Sequence, residues 1–240
     1  MSRSDEIAAA LGEVKAKVAE AVAIAGRAPD AVRLIAVSKR MPAEDVLAAY
    51  AAGQRDFGEN YAQELRDKRA AVAAQATDLR WHYLGPIQRN KVKYLAGQVA
   101  LIQSLDDAEI LVELDRRIEA SPDRGGAVRQ SCLVQVNVAG ETRKGGVPPH
   151  MLGALLDRFA ASAHAACVGL MLIPPLDDDA SATRRHFAAL RALGEREARV
   201  SRPHVELREL SMGMSGDYAE AIAEGATMVR VGTAIFGARG

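Results

Sequence analysis

Arg33-Leu-Ile-Ala-Val-Ser-Lys39 is a short apolar run that ends in a cation. Leu34, Ile35, Ala36 and Val37 follow one another without polar alternation, which suits a strand covered on both faces, as in a parallel sheet wrapped by helices. Such a strand has no place for an ammonium group except its carboxyl end, where α/β proteins open their ligand clefts. Lys39 sits at that end, with Arg40, Met41 and Pro42 behind it. On this stretch alone a solvated loop lysine is the simpler reading, so the flanking chain has to decide.

Upstream, Ser4 is a candidate helix cap with Asp5 and Glu6 in the first turn. Ile7, Leu11, Val14, Val18 and Val22 step by three or four and give that helix one apolar stripe, and Gly26 and Pro29 end it. Downstream, strand and helix alternate with little else. The strand at 33–39 is followed by a helix from Pro42 to about 52, where Gly53 stops it. Further strands are expected at 56–58, 80–85, 99–104, 131–137, 167–173, 206–212 and 228–233. The helices between them fall near 59–74, 89–95, 106–118, 148–161, 177–202 and 217–224. Asp106 is the expected cap of the fifth of these helical segments counted from the amino terminus, and Pro122 to Gly126 reads as a polar turn.

Eight strand-helix units at this spacing predict parallel strands that close into a (β/α)8 barrel with one extra helix in front. A doubly wound open sheet is the alternative, but it normally carries G-x-G-x-x-G after its first strand, and none occurs there. With no linker, low-complexity tract or shift in composition, residues 1–240 read as one barrel domain.

Composition narrows the function classes. Lys plus Arg and Asp plus Glu balance at 31 each, so charge gives no case for nucleic acid or an anionic membrane. Cys132 and Cys167 lie in apolar strand-like runs and read as buried thiols of a reducing compartment. No charged-then-apolar leader opens the chain and no apolar run approaches ~18 residues. The expectation is a soluble, cytoplasmic, monomeric protein. No metal-ligand spacing and no Ser-His-Asp arrangement stands out, so neither a metal nor a catalytic set is assigned.

In a barrel the functional residues lie at the carboxyl ends of the strands. Those ends hold Lys39, Asn60, His82, Ser104, Asn137, Met171, Ser211 and Thr233. The last two units carry the strongest pattern: Ser211-Met-Gly-Met-Ser215-Gly216 after strand seven and Val231-Gly232-Thr233 after strand eight. Loops seven and eight commonly hold a phosphate in barrels. Gly213, Gly216 and Gly232 allow close backbone approach, and Ser211, Ser215 and Thr233 offer hydroxyls. Ordinary turn chemistry is the competing explanation.

A lysine at strand one and a phosphate cradle at strands seven and eight share one rim. Pyridoxal 5′-phosphate (PLP) would bridge them, its aldehyde forming an imine with Lys39 and its phosphate taking the cradle. A free lysine is only about one part in two thousand neutral at pH 7, so imine formation requires a lowered pKa, to which Arg40 or Arg230 could contribute. Alternation puts Met228, Arg230 and Gly232 on one side of strand eight, so Arg230 faces any ligand that Gly232 approaches. An arginine against the pyridine nitrogen makes the ring a poor electron sink. The alternative for Arg230 is an ion pair with Glu209 on the neighbouring strand. His82, between Trp81 and Tyr83, reads equally as an acid-base group or as a core residue, and Asn60 and Asn137 as ring contacts or loop ties.

Ala36-Val-Ser-Lys39, Phe57-Gly-Glu-Asn-Tyr61, Trp81-His-Tyr-Leu-Gly-Pro-Ile-Gln88 with Asn90-Lys91, Val136-Asn137, Ser211-Met-Gly-Met-Ser215 and Arg230-Val-Gly-Thr-Ala-Ile-Phe-Gly237 resemble the pyridoxal-phosphate homeostasis protein family, itself similar to the barrel domain of alanine racemase. The resemblance covers nearly the whole chain in order. It implies one barrel with the cofactor on Lys39 and the phosphate held by Ser211, Gly232, Thr233 and loop amides. Arg230 would lie near the ring nitrogen, with Asn60 and His82 lining the site. It implies a carrier or regulator in vitamin B6 and amino-acid homeostasis, without robust catalysis, that hands PLP to apo-enzymes. Racemase relatives complete their site with a second domain bearing a tyrosine base, and here the sequence ends just after strand eight. A single-domain PLP-dependent racemase or lyase is the alternative; its acid-base candidates are Tyr61, His82 and Tyr83. A phosphosugar enzyme using Lys39 would need a carboxylate and a second lysine, which the strand ends do not offer.

Overall fold

Ile35, Ala36 and Val37 are buried at 0, 0 and 7% exposure, as an apolar strand covered on both faces requires. In the computed structural model, which describes residues 1–121, 129–141, 145–175 and 179–238, this stretch is β1 (Arg33–Val37) of a closed barrel. The other staves follow in chain order: β2 (Asp56–Glu59), β3 (Arg80–Tyr83), β4 (Leu101–Leu105), β5 (Gln130–Gln135), β6 (Ala165–Met171), β7 (Val205–Ser211) and β8 (Met228–Val231). All pairings are parallel, and β8 closes on β1 with Ala36 opposite Val231. The expected (β/α)8 architecture is found, and the open doubly wound sheet is not.

Around the staves run α1 (Arg3–Ile24), α2 (Ala43–Ala51), α3 (Ala62–Val72), α4 (Ala108–Glu119), α5 (Leu152–Ala160), α6 (Ala180–Glu197), α7 (Tyr218–Ala223) and α8 (Thr233–Phe236). The stripe Ile7, Leu11, Val14, Val18 and Val22 of α1 is buried in the main core between staves and helices. A second, small cluster of Ile35, Leu101, Leu133, Met171 and Met228 separates from it and comes from inward-facing strand positions.

Several local expectations are corrected. Ser2, not Ser4, caps α1, and Asp5 closes a reciprocal capping box with it. Asp107, not Asp106, caps α4; the Asp106 carboxylate instead accepts from Gly146 N at 2.7 Å. The segment after β3 is a 3-10 helix (Arg89–Tyr94) in which Val92 alone is buried. Pro149 opens a 3-10 turn (Pro149–Met151) before α5 begins. The expected turn at 122–126 and the start of the 177–202 helix at 177–178 lie outside the described residues. Cys132 and Cys167 face each other in register across β5 and β6 as free buried thiols, and burial pushes Cys167 up to about 12. Among the described residues no helix is long and apolar enough to cross a membrane, and no cluster of His, Cys, Asp and Glu is arranged to hold a metal ion.

Candidate functional site

The site begins where β1 ends. Ser38 N donates to Gly58 O of β2 at 3.0 Å, and the chain then turns: Met41 N donates back to Ser38 O at 2.9 Å, and Arg40 takes φ 62°. A non-glycine residue in the left-handed region costs about 1–2 kcal/mol and persists only where its surroundings impose it. Here the Glu64 carboxylate accepts from Arg40 N at 2.5 Å. This bend delivers Lys39, half-buried, to a cavity of about 270 Å3 at the carboxyl ends of the strands.

The same cavity is lined by Asn60 after β2, by Ser215 and Gly216 after β7, and by Arg230, Gly232 and Thr233 of β8 and the start of α8. Val37, Leu84, Met171, Ile173 and Met214 supply its apolar wall. Two close backbone approaches shape it. A Cβ on Gly85 would lie 1.9 Å from Asn60 O, so only glycine lets the β3 loop press against the β2 loop. Gly213 has φ 94°, and a Cβ there would meet Ala221 Cβ at 2.6 Å, so glycine also lets the β7 turn seat on α7. Asp217 Oδ1 then accepts from Met214 N at 2.5 Å and fixes that turn.

Arg230 is 5% exposed and reaches the cavity floor. Its Nη1 donates to Ser211 Oγ at 2.6 Å and its Nη2 to Leu172 O at 2.8 Å, both neutral acceptors. The suggested pair with Glu209 is not formed: that carboxylate accepts from Thr227 Oγ1 at 2.5 Å and stands 4.0 Å from Arg33. Burial lowers the guanidinium to about 10, with Asp217 the opposing charge. A largely desolvated cation whose direct partners are neutral favours an acceptor or anion in the cavity beside it.

Six of the eight residues singled out in the sequence therefore converge: Lys39, Asn60, Ser215, Arg230, Gly232 and Thr233. Ser211 and His82 do not line the cavity. Ser211 is 0% exposed, and its hydroxyl donates to Gln103 Oε1 at 2.6 Å while accepting from Arg230. His82, 2% exposed, lies deeper, between Asp56 and Gln103. Asn137 ties its own loop, donating from Nδ2 to Glu141 O at 2.8 Å. Tyr83 donates to Pro86 O at 3.1 Å and burial raises its phenol to about 12, while Tyr61 is 47% exposed. None of the three acid-base candidates lines the cavity.

A wider and more open cleft of about 900 Å3 lies between α1, α6 and α7. It shares Ser215 and Gly216 with the barrel mouth, but its other polar groups, such as Lys17, Glu20, Arg184 and Glu220, are helix-surface side chains. The strand-end cavity is the one where a potential nucleophile, a buried cation and loop hydroxyls converge. This donor set suits a ligand with an electrophilic carbon at one end and an anion at the other.

Comparison with known proteins gives the same picture. The family model "Alanine racemase, N-terminal domain" matches residues 11–240. A pyridoxal phosphate homeostasis protein of Pseudomonas aeruginosa is 42% identical over 233 residues, covering 97% of this chain and 96% of its own. PipY of Synechococcus elongatus, solved with PLP bound, is 38% identical with a TM-score of 0.79, covering 92% of this chain and all of that one. Alanine racemase from Corynebacterium glutamicum shares the fold at 14% identity and a TM-score of 0.69, with 98% of this chain matched to 62% of that one.

Proposed function

The chain belongs to the pyridoxal phosphate homeostasis proteins within the alanine racemase N-terminal-domain family, and we propose that it binds PLP at the mouth of its barrel. The observation that carries this reading is the lining of one cavity of about 270 Å3 by both Lys39 and the buried Arg230. A small ligand touching both is compatible with that volume, and the aldehyde and phosphate arm of PLP, on adjacent ring carbons, match the amine and the loop donors, while its ring nitrogen, para to the aldehyde, matches Arg230. When bound, PLP supplies an aldehyde that condenses with a primary amine and a ring that withdraws electrons from it.

Each residue then has a role that follows from its chemistry. Lys39 would carry the cofactor through an imine, in a cavity whose apolar wall includes Val37, Leu84 and Met171. Ser215, Thr233 and the glycine amides at 216 and 232 would hold the phosphate by hydrogen bonds. Arg230 would donate to the ring nitrogen, and because arginine does not give up its proton the nitrogen remains unprotonated. Asn60 would contact the ring edge.

This arrangement favours holding the cofactor over turning over a substrate. An unprotonated ring is a weak electron sink, and Tyr61, His82 and Tyr83 are absent from the cavity wall. The proposed role is that of an intracellular, monomeric carrier or regulator in vitamin B6 and amino-acid homeostasis, which passes PLP to apo-enzymes. The racemase or lyase alternative requires a second acid-base group opposite Lys39.

The test is spectroscopic. Protein incubated with PLP should be yellow, and borohydride should fix the cofactor onto the peptide containing Lys39. Label on another lysine, or none, would overturn the assignment. Steady racemisation of a free amino acid that disappears in Lys39→Ala would replace the carrier role with the enzymatic one.

A further inference from the structure

A continuous column of polar side chains threads the barrel interior from its amino-terminal rim to the floor of the cavity. At the rim, Arg80 grips Asp56 in a bidentate pair, Nε to Oδ1 at 2.9 Å and Nη2 to Oδ2 at 2.6 Å. His82 Nε2 lies 2.9 Å from Asp56 Oδ1, and Gln103 Nε2 lies 3.0 Å from His82 Nδ1. Ser211 Oγ is 2.6 Å from Gln103 Oε1, and Arg230 Nη1 is 2.6 Å from Ser211 Oγ. Asp56, His82, Gln103, Ser211 and Arg230 come from β2, β3, β4, β7 and β8, and all are at most 5% exposed. The Gln103–Ser211 bond crosses the lumen, since β4 and β7 are not neighbours.

With Gln103 Oε1 turned toward Ser211, the two ends of the column set its proton order. Arginine can only donate and a carboxylate can only accept. Arg230 therefore donates to Ser211, Ser211 to Gln103 Oε1, Gln103 Nε2 to His82 Nδ1, and His82 Nε2–H to Asp56. Every link is satisfied by one tautomer, the neutral Nε2–H imidazole. Desolvation lowers the His82 pKa, which agrees with that neutral form. Barrel interiors are ordinarily filled by branched apolar layers, and a buried polar network is tolerable only when complete. Here it is complete, and it ends on the one buried arginine that lines the cavity.

We propose that Asp56, His82, Gln103 and Ser211 are positioning residues that lock the Arg230 guanidinium in one orientation at the cavity floor. Two of its five N–H bonds are engaged by Ser211 and Leu172, which aims the remaining edge at the ligand. This rests on the cavity being the PLP site, but the orientation itself is a property of the free protein.

The experiment reads both levels. In cofactor-free wild-type protein, nitrogen-15 NMR should show distinct, slowly exchanging Nη1 and Nη2 signals for Arg230 and a neutral Nε2–H tautomer for His82. Ser211→Ala and Gln103→Leu should merge the two Arg230 signals, and in PLP titrations each should weaken binding roughly tenfold, the usual cost of removing a supporting group behind a contact residue. Gln103→Glu offers carboxylate oxygens to both Ser211 and His82 and should convert His82 to the doubly protonated form, which a merely space-filling glutamine would not predict. Ser211→Thr retains the hydroxyl and should restore the wild-type Arg230 signals. Folded Ser211→Ala and Gln103→Leu proteins with unchanged Arg230 signals and unchanged PLP affinity would overturn the proposal. Loss of averaging control without any PLP binding in wild type would support the column while removing the PLP reading.

Discussion

The Lys68 ammonium stands 2.7 Å from Glu59 Oε1, with the two side chains 7% and 0% exposed, where β1, β2 and α3 meet. The same Nζ donates to Ser38 O at 2.6 Å and to Glu64 Oε1 at 2.7 Å, and Ser38 Oγ donates to Glu59 Oε1 at 2.7 Å. One buried cation thus ties down the residue before Lys39 and, through Glu64, the strained residue after it. Burial raises the Glu59 carboxyl, with Lys68 opposing it, and Glu59 Oε2 has no hydrogen-bond partner among the described residues, so the carboxylate depends heavily on this ammonium.

Removing that cation should be severe. Lys68→Met leaves a buried carboxylate uncompensated, and urea unfolding should show a loss of about 3–5 kcal/mol. Adding Glu59→Leu should recover part of it, because the pair together costs more to break than to replace. Equal instability in the double variant would mean that the segment is held by packing instead.

Lys39→Ala should behave oppositely. Lys39 is only half-buried at the cavity edge, so unfolding should change by no more than about 1 kcal/mol, while the imine absorption and the borohydride-fixed adduct disappear. A protein that no longer folds would assign Lys39 a structural role.

The two glycines of the β7 loop should separate sharply. Gly213→Ala combines a left-handed backbone with a 2.6 Å clash against Ala221, and each effect costs about 1–3 kcal/mol. Gly216 has nothing within 4 Å of a built Cβ, so Gly216→Ala should leave the melting temperature nearly unchanged. Measured together, the two melts report whether the turn is seated on α7; similar melts would deny it.

Much of this was readable from the chain because barrel staves are buried on both faces and announce themselves as apolar runs. The strand starts at Arg33, Asp56, Arg80 and Met228 agree with the structure. Strand ends were overrun, as at Lys39 and Thr233, because apolar pattern persists past the last ladder hydrogen bond. Ser211 and His82 stand at strand ends in the sequence, which marks the right rim but not the depth, and both lie beneath the cavity rather than in its wall. Gln103 is not among the strand-end residues, yet a glutamine between Leu101 and Leu105 in a covered strand signals a buried partner. Lys68 could not be read: within Gln63-Glu-Leu-Arg-Asp-Lys68 it resembles any solvated helix face, and only the fold brings Glu59 to it.

Acid should expose the column beneath the cavity. His82 is packed against Asp56 and Gln103, with Arg33 and Arg80 as the nearby cations, and its pKa is lowered by burial, with Asp56 opposing. An unfolded histidine takes up a proton near pH ~6.5, whereas the folded one does so only at lower pH. Stability from this group is therefore complete above ~6.5 and falls below it, by at most about 1.4 kcal/mol per pH unit, until the folded pKa is reached. For Asp56, burial alone would raise the pKa, but hydrogen bonds from Arg80 and His82 outweigh it and hold the carboxyl well below the usual range. Its contribution is present above the unfolded value of ~3.9 and is lost as pH falls from there toward the folded one. Urea midpoints at pH 7.5, 6.5 and 5.5 should fall more steeply for wild type than for His82→Gln, which cannot titrate; parallel profiles would show that the fold does not lower the His82 pKa, and a wild type that gains stability toward acid relative to His82→Gln would show that His82 is protonated within the barrel.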